Sequence, residues 1–157
     1  AEWLGMTLFN KNPEDEHIVS LIYEKIYTFC SPIPISVPAD PPIDLGVQEN
    51  RLAPCPKSPN CVSSFDSDNS HTIRPLNADL EKIERMLVSL NHANIVDRSG
   101  NYMRVEFTSR ILRYIDDVEF LHDENGGVTH VRSASRVGFT DLGVNRKRVE
   151  KIRSLVE

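Results

Sequence analysis

The chain has 157 residues, 39% hydrophobic and 26% charged, which is enough for one modest core and too little for several. The formal net charge is −5, and all of the negative excess lies early: residues 1–75 hold five Lys/Arg against ten Asp/Glu, residues 76–157 thirteen of each. Binding to nucleic-acid phosphates needs a basic field, which this balance speaks against. No apolar run reaches the length of a membrane-spanning helix.

The chain opens Ala1-Glu2-Trp3, as a processed protein would, and carries Trp3, Leu4, Met6, Leu8 and Phe9 within its first ten residues. Asn12-Pro13-Glu14-Asp15-Glu16 then offers an N-cap, a proline at the first helical position and three acids near the positive end of a helix dipole. The pattern predicts a helix to about Phe29, ahead of Pro32. Ile18, Ile22, Ile26 and Phe29 form one apolar stripe, with Val19, Tyr23, Tyr27 and Cys30 beside it. So wide an apolar face needs cover. Together with Trp3, Leu4 and Phe9, the first stripe is the candidate for docking on a partner.

All ten prolines lie at or before Pro75, eight of them between Ser31 and Pro59. Proline removes a backbone donor and fixes φ, so this stretch predicts extended, polyproline-like chain. Ile33, Ile35, Val37, Ile43, Leu45 and Val47 make it too apolar for a solvated linker. It reads as a strap across its own domain, across a partner, or both. Cys55 and Cys61 flank Pro-Lys-Ser-Pro-Asn, a reversal that lets the two sulfurs meet. They are either a disulfide, stabilising by roughly 2 kcal/mol and implying an oxidising compartment, or two thiols of a reducing one. Cys30 is left over and reads as a small hydrophobe.

From Asn77 the pattern becomes continuous. Asn77 caps a predicted helix to about Asn91 with Leu80, Ile83, Leu87 and Leu90 on one face. Strands follow at Ile95-Val96-Asp97 and Tyr102 to Thr108, where Met103, Val105 and Phe107 alternate with Arg104, Glu106 and Thr108. A hairpin, about 113–122 and 128–137, turns at Glu124-Asn125-Gly126-Gly127, and a last helix spans about 144–156. The expected fold is α+β: a two-layer domain of an antiparallel four-stranded sheet with two helices, preceded by an N-terminal helix and a proline-rich extended arm.

The hairpin carries the chemistry. Asp116, Asp117, Glu119, Asp123 and Glu124 precede the turn, and seven basic residues lie between Arg132 and Arg153. A turn centred on Asn125-Gly126 sets Glu119 opposite Arg132 and Phe120 opposite Val131. Asp117, Glu119, Arg132 and Arg136 then share one face, and Val118, Phe120, Val131, Ser133 and Ser135 the other. Two readings stand: a cross-strand ion-pair ladder, or an anion site using Arg132, Arg136, Arg146 and Arg148. Arg146, Lys147 and Arg148 occupy the first turn of the last helix, where the dipole disfavours cations, so a compensating partner is expected. That partner is the acidic strand or a bound phosphate or carboxylate, with Gly143 permitting close approach. Cys55, Cys61 and His71 match no zinc spacing, and His122 and His130 read as a surface pair. Ser63 or Ser64 with His71 is the one local nucleophile–base candidate, without an elbow motif or an orienting acid. No catalytic residue, metal or cofactor is assigned.

Cys55-Pro-Lys-Ser-Pro-Asn-Cys61-Val-Ser-Ser, Val118-Glu119-Phe120, Val131-Arg-Ser-Ala-Ser-Arg136-Val-Gly and Asp141-Leu-Gly-Val-Asn-Arg146-Lys-Arg-Val-Glu-Lys-Ile-Arg153 occur in that order. Together they closely resemble the domain-of-unknown-function family 1499 of bacteria and plastid-bearing eukaryotes, over about residues 45–157. The resemblance divides the chain into a docking helix and arm at 1–44 and an α+β domain at 45–157. It implies no reaction. For plastid members it implies a thylakoid location, where a lumenal, disulfide-permissive setting fits the Ala1 start. The resulting expectation is a non-enzymatic accessory subunit held by residues 1–60 on a larger membrane protein assembly, such as a photosystem, with no spanning segment of its own. The alternative is a protein, binding module or enzyme, that takes a small anion or lipid headgroup on the arginine cluster.

Overall fold

The structure is a computed structural model that describes residues 40–109 and 113–157. The predicted helix at 12–29, its docking stripe and the arm as far as residue 39 lie outside the described residues. The elements in order are β1 (Val47–Gln48), β2 (Arg51–Leu52), β3 (Cys61–Ser63), α1 (Leu80–Val88), β4 (Ala93–Ser99), β5 (Tyr102–Thr108), β6 (Ile115–Asp123), β7 (Val128–Ser135) and α2 (Val144–Val156). β4 to β7 form an antiparallel meander, and β3 joins its β7 edge, so the sheet runs β3-β7-β6-β5-β4. The mixed α/β class is as expected, but the sheet has five strands rather than four. β3 is three residues long and sits among prolines, so it has no room to show alternation. Only its distant partner β7, through Cys61 opposite Ala134 and Val62 opposite Ser133, makes it a strand.

Alternation along the meander divides the sheet into two unlike faces. Met103, Val105 and Phe107 of β5, Val118 and Phe120 of β6, and Val131 of β7 point to one side with Val62. Both helices cover that side, α1 with Leu80, Ile83 and Leu87 and α2 with Val149, Ile152 and Val156. Ile73, Leu76 and Ala78, on the segment leading into α1, complete the same core. The opposite face carries Tyr102, Arg104 and Glu106, then Asp117 and Glu119, then Arg132. The β6–β7 register is as expected, with Glu119 opposite Arg132 and Phe120 opposite Val131.

α1 starts two to three residues later than its sequence signal. Ala78 is buried in the core and the Asn77 backbone N–H is held by the Glu157 carboxylate at 2.8 Å. Asp79 therefore takes the N-cap role instead of Asn77, accepting from the Lys82 N–H at 2.7 Å. Ser89 closes the helix through hydrogen bonds from its N–H and hydroxyl to the Met86 carbonyl.

The proline-rich stretch is not structureless where it is described. β1 and β2 form a miniature hairpin whose turn residues Glu49 and Asn50 both have positive φ, 50° and 60°, which matches the twist of a two-residue hairpin loop. Leu52 and Ala53 are buried, and β2 packs on β6 and β7. Within the described part of the stretch, Gly46 to Ala53 form a strap across their own domain.

Candidate functional site

The residues that sequence reasoning singled out for charge chemistry sit on the second face of the sheet and at its α2 end. On that face, Asp117 and Glu119 are almost wholly buried, with 1% and 0% of their surface exposed, and Arg132 has 3%. Ionised groups this deep must be matched, because desolvation otherwise neutralises or expels them. The matching is complete for both acids. Asp117 accepts from Arg104 Nη1 at 3.0 Å and from Arg136 Nε at 2.7 Å and Nη2 at 2.9 Å. Arg136 Nη2 also donates to Glu106, and Arg104 Nη1 contacts the same carboxylate at 3.3 Å. Hydrogen bonding to Asp117 holds the Arg136 guanidinium even more firmly protonated than usual, outweighing its burial.

Glu119 is held by three different elements. Arg132 Nη1 donates to Oε2 at 3.1 Å, while Oε1 accepts from the Tyr102 hydroxyl at 2.9 Å and from the Gly46 backbone N–H at 2.7 Å. Burial, reinforced by the Glu119 charge, pushes the Tyr102 hydroxyl well above its ordinary pKa, so it stays a donor. The Gly46 contact ties the strap to the sheet. Asp44 adds a looser tie, its carboxylate 3.6 Å from Arg132 Nη2. Arg132 Nε is buried without a hydrogen-bond partner.

The other two candidate arginines belong to α2, away from this face. Arg148 reaches back to β6 and bonds the Asp116 carboxylate, with Nη1 on the Ser133 hydroxyl at 3.0 Å and on Asn145 Oδ1 at 2.6 Å. Its guanidinium also lies over the Phe107 ring, 4.9 Å from the centroid. Arg146 donates to the carbonyls of Thr72 at 2.8 Å and Ser70 at 3.0 Å. Arg153, which sequence reasoning did not single out, does the same one segment later, to Pro75 at 2.8 Å and Arg74 at 2.6 Å. The helix N-terminus receives its carboxylate from the chain itself: Asp141 accepts from the Gly143 and Asn145 N–H groups, both at 2.8 Å. The cluster of four arginines is thus two groups, each guanidinium bonded to groups of this chain.

The remaining candidates resolve into structural roles. Cys55 and Cys61 are joined as a disulfide, with Cα atoms 5.6 Å apart. Their loop presents Asn60, which donates to the Gly138 carbonyl at 2.8 Å and accepts from Asn145 Nδ2 at 3.0 Å. His71 does not meet Ser63 or Ser64 through its ring. Its Nδ1 faces Asp68 at 2.8 Å and its Nε2 the Ser58 carbonyl at 3.2 Å. Ser64 instead lies 3.1 Å from His130 Nδ1 and accepts from the Val131 N–H at 2.9 Å. His130 stacks on Phe65 at 4.1 Å. His122 turns to the helix-covered side, 3.0 Å from the Thr129 hydroxyl, so the two histidines do not form a pair. Among the described residues no group of three His, Cys, Asp or Glu side chains is placed to hold a metal. A hollow of about 370 Å³ opens between β1 and the β4–β5 turn, lined by Gly46, Val47, Asp97, Ser99, Asn101, Tyr102 and Leu121. No basic side chain lines it, so an anion gains nothing there.

The family model described as "Protein of unknown function (DUF1499)" matches residues 51–156. No curated protein and no solved structure matches the chain.

Two outcomes follow from this geometry. Glu119→Leu strands the buried Arg132 and should lower unfolding stability by about 3–5 kcal/mol in urea titrations, and Glu119→Leu with Arg132→Leu should recover most of that loss. A cost below about 1 kcal/mol for the single change would place the pair with solvent-screened surface bridges instead. Burial, opposed by Asp123 and aided by Arg51, lowers the His130 pKa below 6.5. The unfolded chain then takes up that proton first, so His130's contribution to stability is full above the unfolded value and declines as pH falls through it. An NMR titration should find His130 below the ordinary imidazole value, and a value above it would remove this source of acid sensitivity.

Proposed function

The chain belongs to the DUF1499 family, and for it we propose a non-enzymatic role as an accessory subunit held on a larger membrane protein assembly by its N-terminal segment. The observation that carries this reading is the internal pairing of the charged cluster. Arg132, Arg136, Arg146 and Arg148 are each bonded to carboxylates, side-chain oxygens or carbonyls of the same chain, which supports a charged seam that holds the domain together. The chemistry available for attachment then lies in the apolar residues Trp3, Leu4, Phe9, Ile18, Ile22, Ile26 and Phe29, all of which precede the matched region at 51–156. No helix among the described residues is long and apolar enough to cross a membrane. The plastid resemblance favours the lumenal side of the thylakoid and a photosystem as the assembly.

A second reading has one observation in its favour. Among the described residues Arg132 Nε has no hydrogen-bond partner, and Nη2 meets only the half-exposed Asp44 carboxylate at 3.6 Å. A small anion or lipid headgroup that displaced Asp44 would find a better-satisfied guanidinium.

Deletion of residues 1–39, which spares Asp44, should leave a cooperative thermal transition and abolish co-purification with the assembly; unimpaired co-purification would overturn the docking role. For the second reading, phosphate or sulfate should raise the melting temperature of the intact chain, more strongly once Asp44→Ala opens the site. No rise with either protein would end it.

A further inference from the structure

We propose that the loop between β7 and α2 is a membrane-contacting finger, with Phe139 and Leu142 seated in the interfacial layer of an anionic bilayer. Four apolar side chains stand exposed within eight residues: Val137 (40%), Phe139 (76%), Leu142 (83%) and Val144 (48%). An exposed apolar residue on its own needs no explanation, but a run of them on one loop does.

The loop is built, not loose. The Gly138 carbonyl accepts from Asn60 Nδ2 at 2.8 Å, and the Asp141 N–H donates to the Pro59 carbonyl at 3.3 Å. Asp141, the only acid between Val137 and Val144, is turned onto the amides of Gly143 and Asn145. Leu142 has φ of +53°, a left-handed conformation that disfavours a bulky side chain. The chain therefore accepts local strain while leaving Leu142 exposed, and such strained positions cluster at functional sites.

What surrounds the finger selects the partner. Lys57 is exposed in the disulfide-closed turn, whose Pro59 the loop touches. Arg113 and Tyr114 are exposed beside the end of β7, where the Arg136 N–H reaches the Ile115 carbonyl at 3.3 Å. Lys147 is exposed one turn into α2. None of these three cations belongs to an ion pair among the described residues. Nearby carboxylates are already engaged, Asp116 by Arg148 and Asp117 by Arg104 and Arg136. An apolar loop with an amphipathic tyrosine and three unpaired cations on the segments that adjoin it complements a surface that is apolar below and anionic at headgroup level. A protein partner would need a recess for each projecting side chain, whereas a bilayer accommodates them singly. The inference uses residues other than those of the N-terminal docking proposed above and stands apart from it.

The test is co-sedimentation of the full-length chain with phosphatidylcholine vesicles, with and without about one third phosphatidylglycerol. Binding to the anionic vesicles is expected, weakening with added salt, and Phe139→Ser with Leu142→Ser should reduce it about tenfold or more at unchanged melting temperature. Lys57→Gln with Lys147→Gln should weaken binding to anionic vesicles only. In a Trp3→Phe background, Phe139→Trp emission should shift to the blue on those vesicles. Failure of the native chain to bind, or undiminished binding by the Phe139/Leu142 variant, would overturn the proposal. So would loss of co-purification by that variant with vesicle binding intact, which would make the loop a protein contact. Loss of co-purification on deleting residues 1–39 reports the other reading separately.

Discussion

The structure turns on a sheet with two buried faces, only one of which is apolar. On the helix side, Val118, Phe120 and Val131 meet ordinary hydrocarbon. On the other side, Asp117 and Glu119 are buried as fully as any core residue, and each must find cations and donors or lose its charge. Asp117 collects Arg104 from β5 and Arg136 from beyond β7, while Glu119 collects Tyr102, Arg132 and the Gly46 backbone. The strap is therefore not an ornament of the domain. It contributes a donor to a carboxylate that has no access to water, and its Leu52 and Ala53 are buried where β2 packs on β6 and β7. Such a layer gives little net stability against an apolar alternative, but a register slip would leave several charges unmatched at once.

The α2 end obeys a related rule with different chemistry. Its arginines mostly satisfy carbonyls: Arg146 takes those of Ser70 and Thr72, and Arg153 those of Arg74 and Pro75. The segment 70–75 runs beside β3 with a single parallel bridge, Ser63 to Thr72, and would otherwise expose unpaired acceptors. Asn145 completes the join, fully buried and bonded to Ser133, Ser135 and the Asn60 carbonyl. A helix whose first turn breaks the dipole rule is thus compensated twice, by Asp141 at its amides and by Asp116 at Arg148.

What the sequence made legible follows the range of each interaction. The β6–β7 register could be read because a four-residue turn sets it and each residue type announces its face. α2 could be read because Val149, Ile152 and Val156 keep helical spacing. β3 could not, since three residues carry no period and their partner lies about seventy positions away. The partners of the arginines are legible only in part. Glu119 and Arg132 lie on adjacent strands, so their pairing follows from register, whereas Arg146 and Arg153 bind backbone carbonyls, and a carbonyl has no letter in a sequence. The exposure of Phe139 and Leu142 has no signal in the sequence, because an exposed hydrophobe and a buried one look alike until burial is known.

The place of β3 also constrains how the molecule comes into being. Residues 46–63 leave the ribosome before the rest of the sheet, yet their partners are Glu119 and the strand Val128–Ser135, more than sixty residues downstream. Until that strand emerges, the leading segment has no sheet to join and its disulfide-closed turn no loop to brace. Synthesis proceeds from the N-terminus, so the five-stranded sheet cannot assemble in the order in which it is made; β3, its first-made strand, must wait for β7.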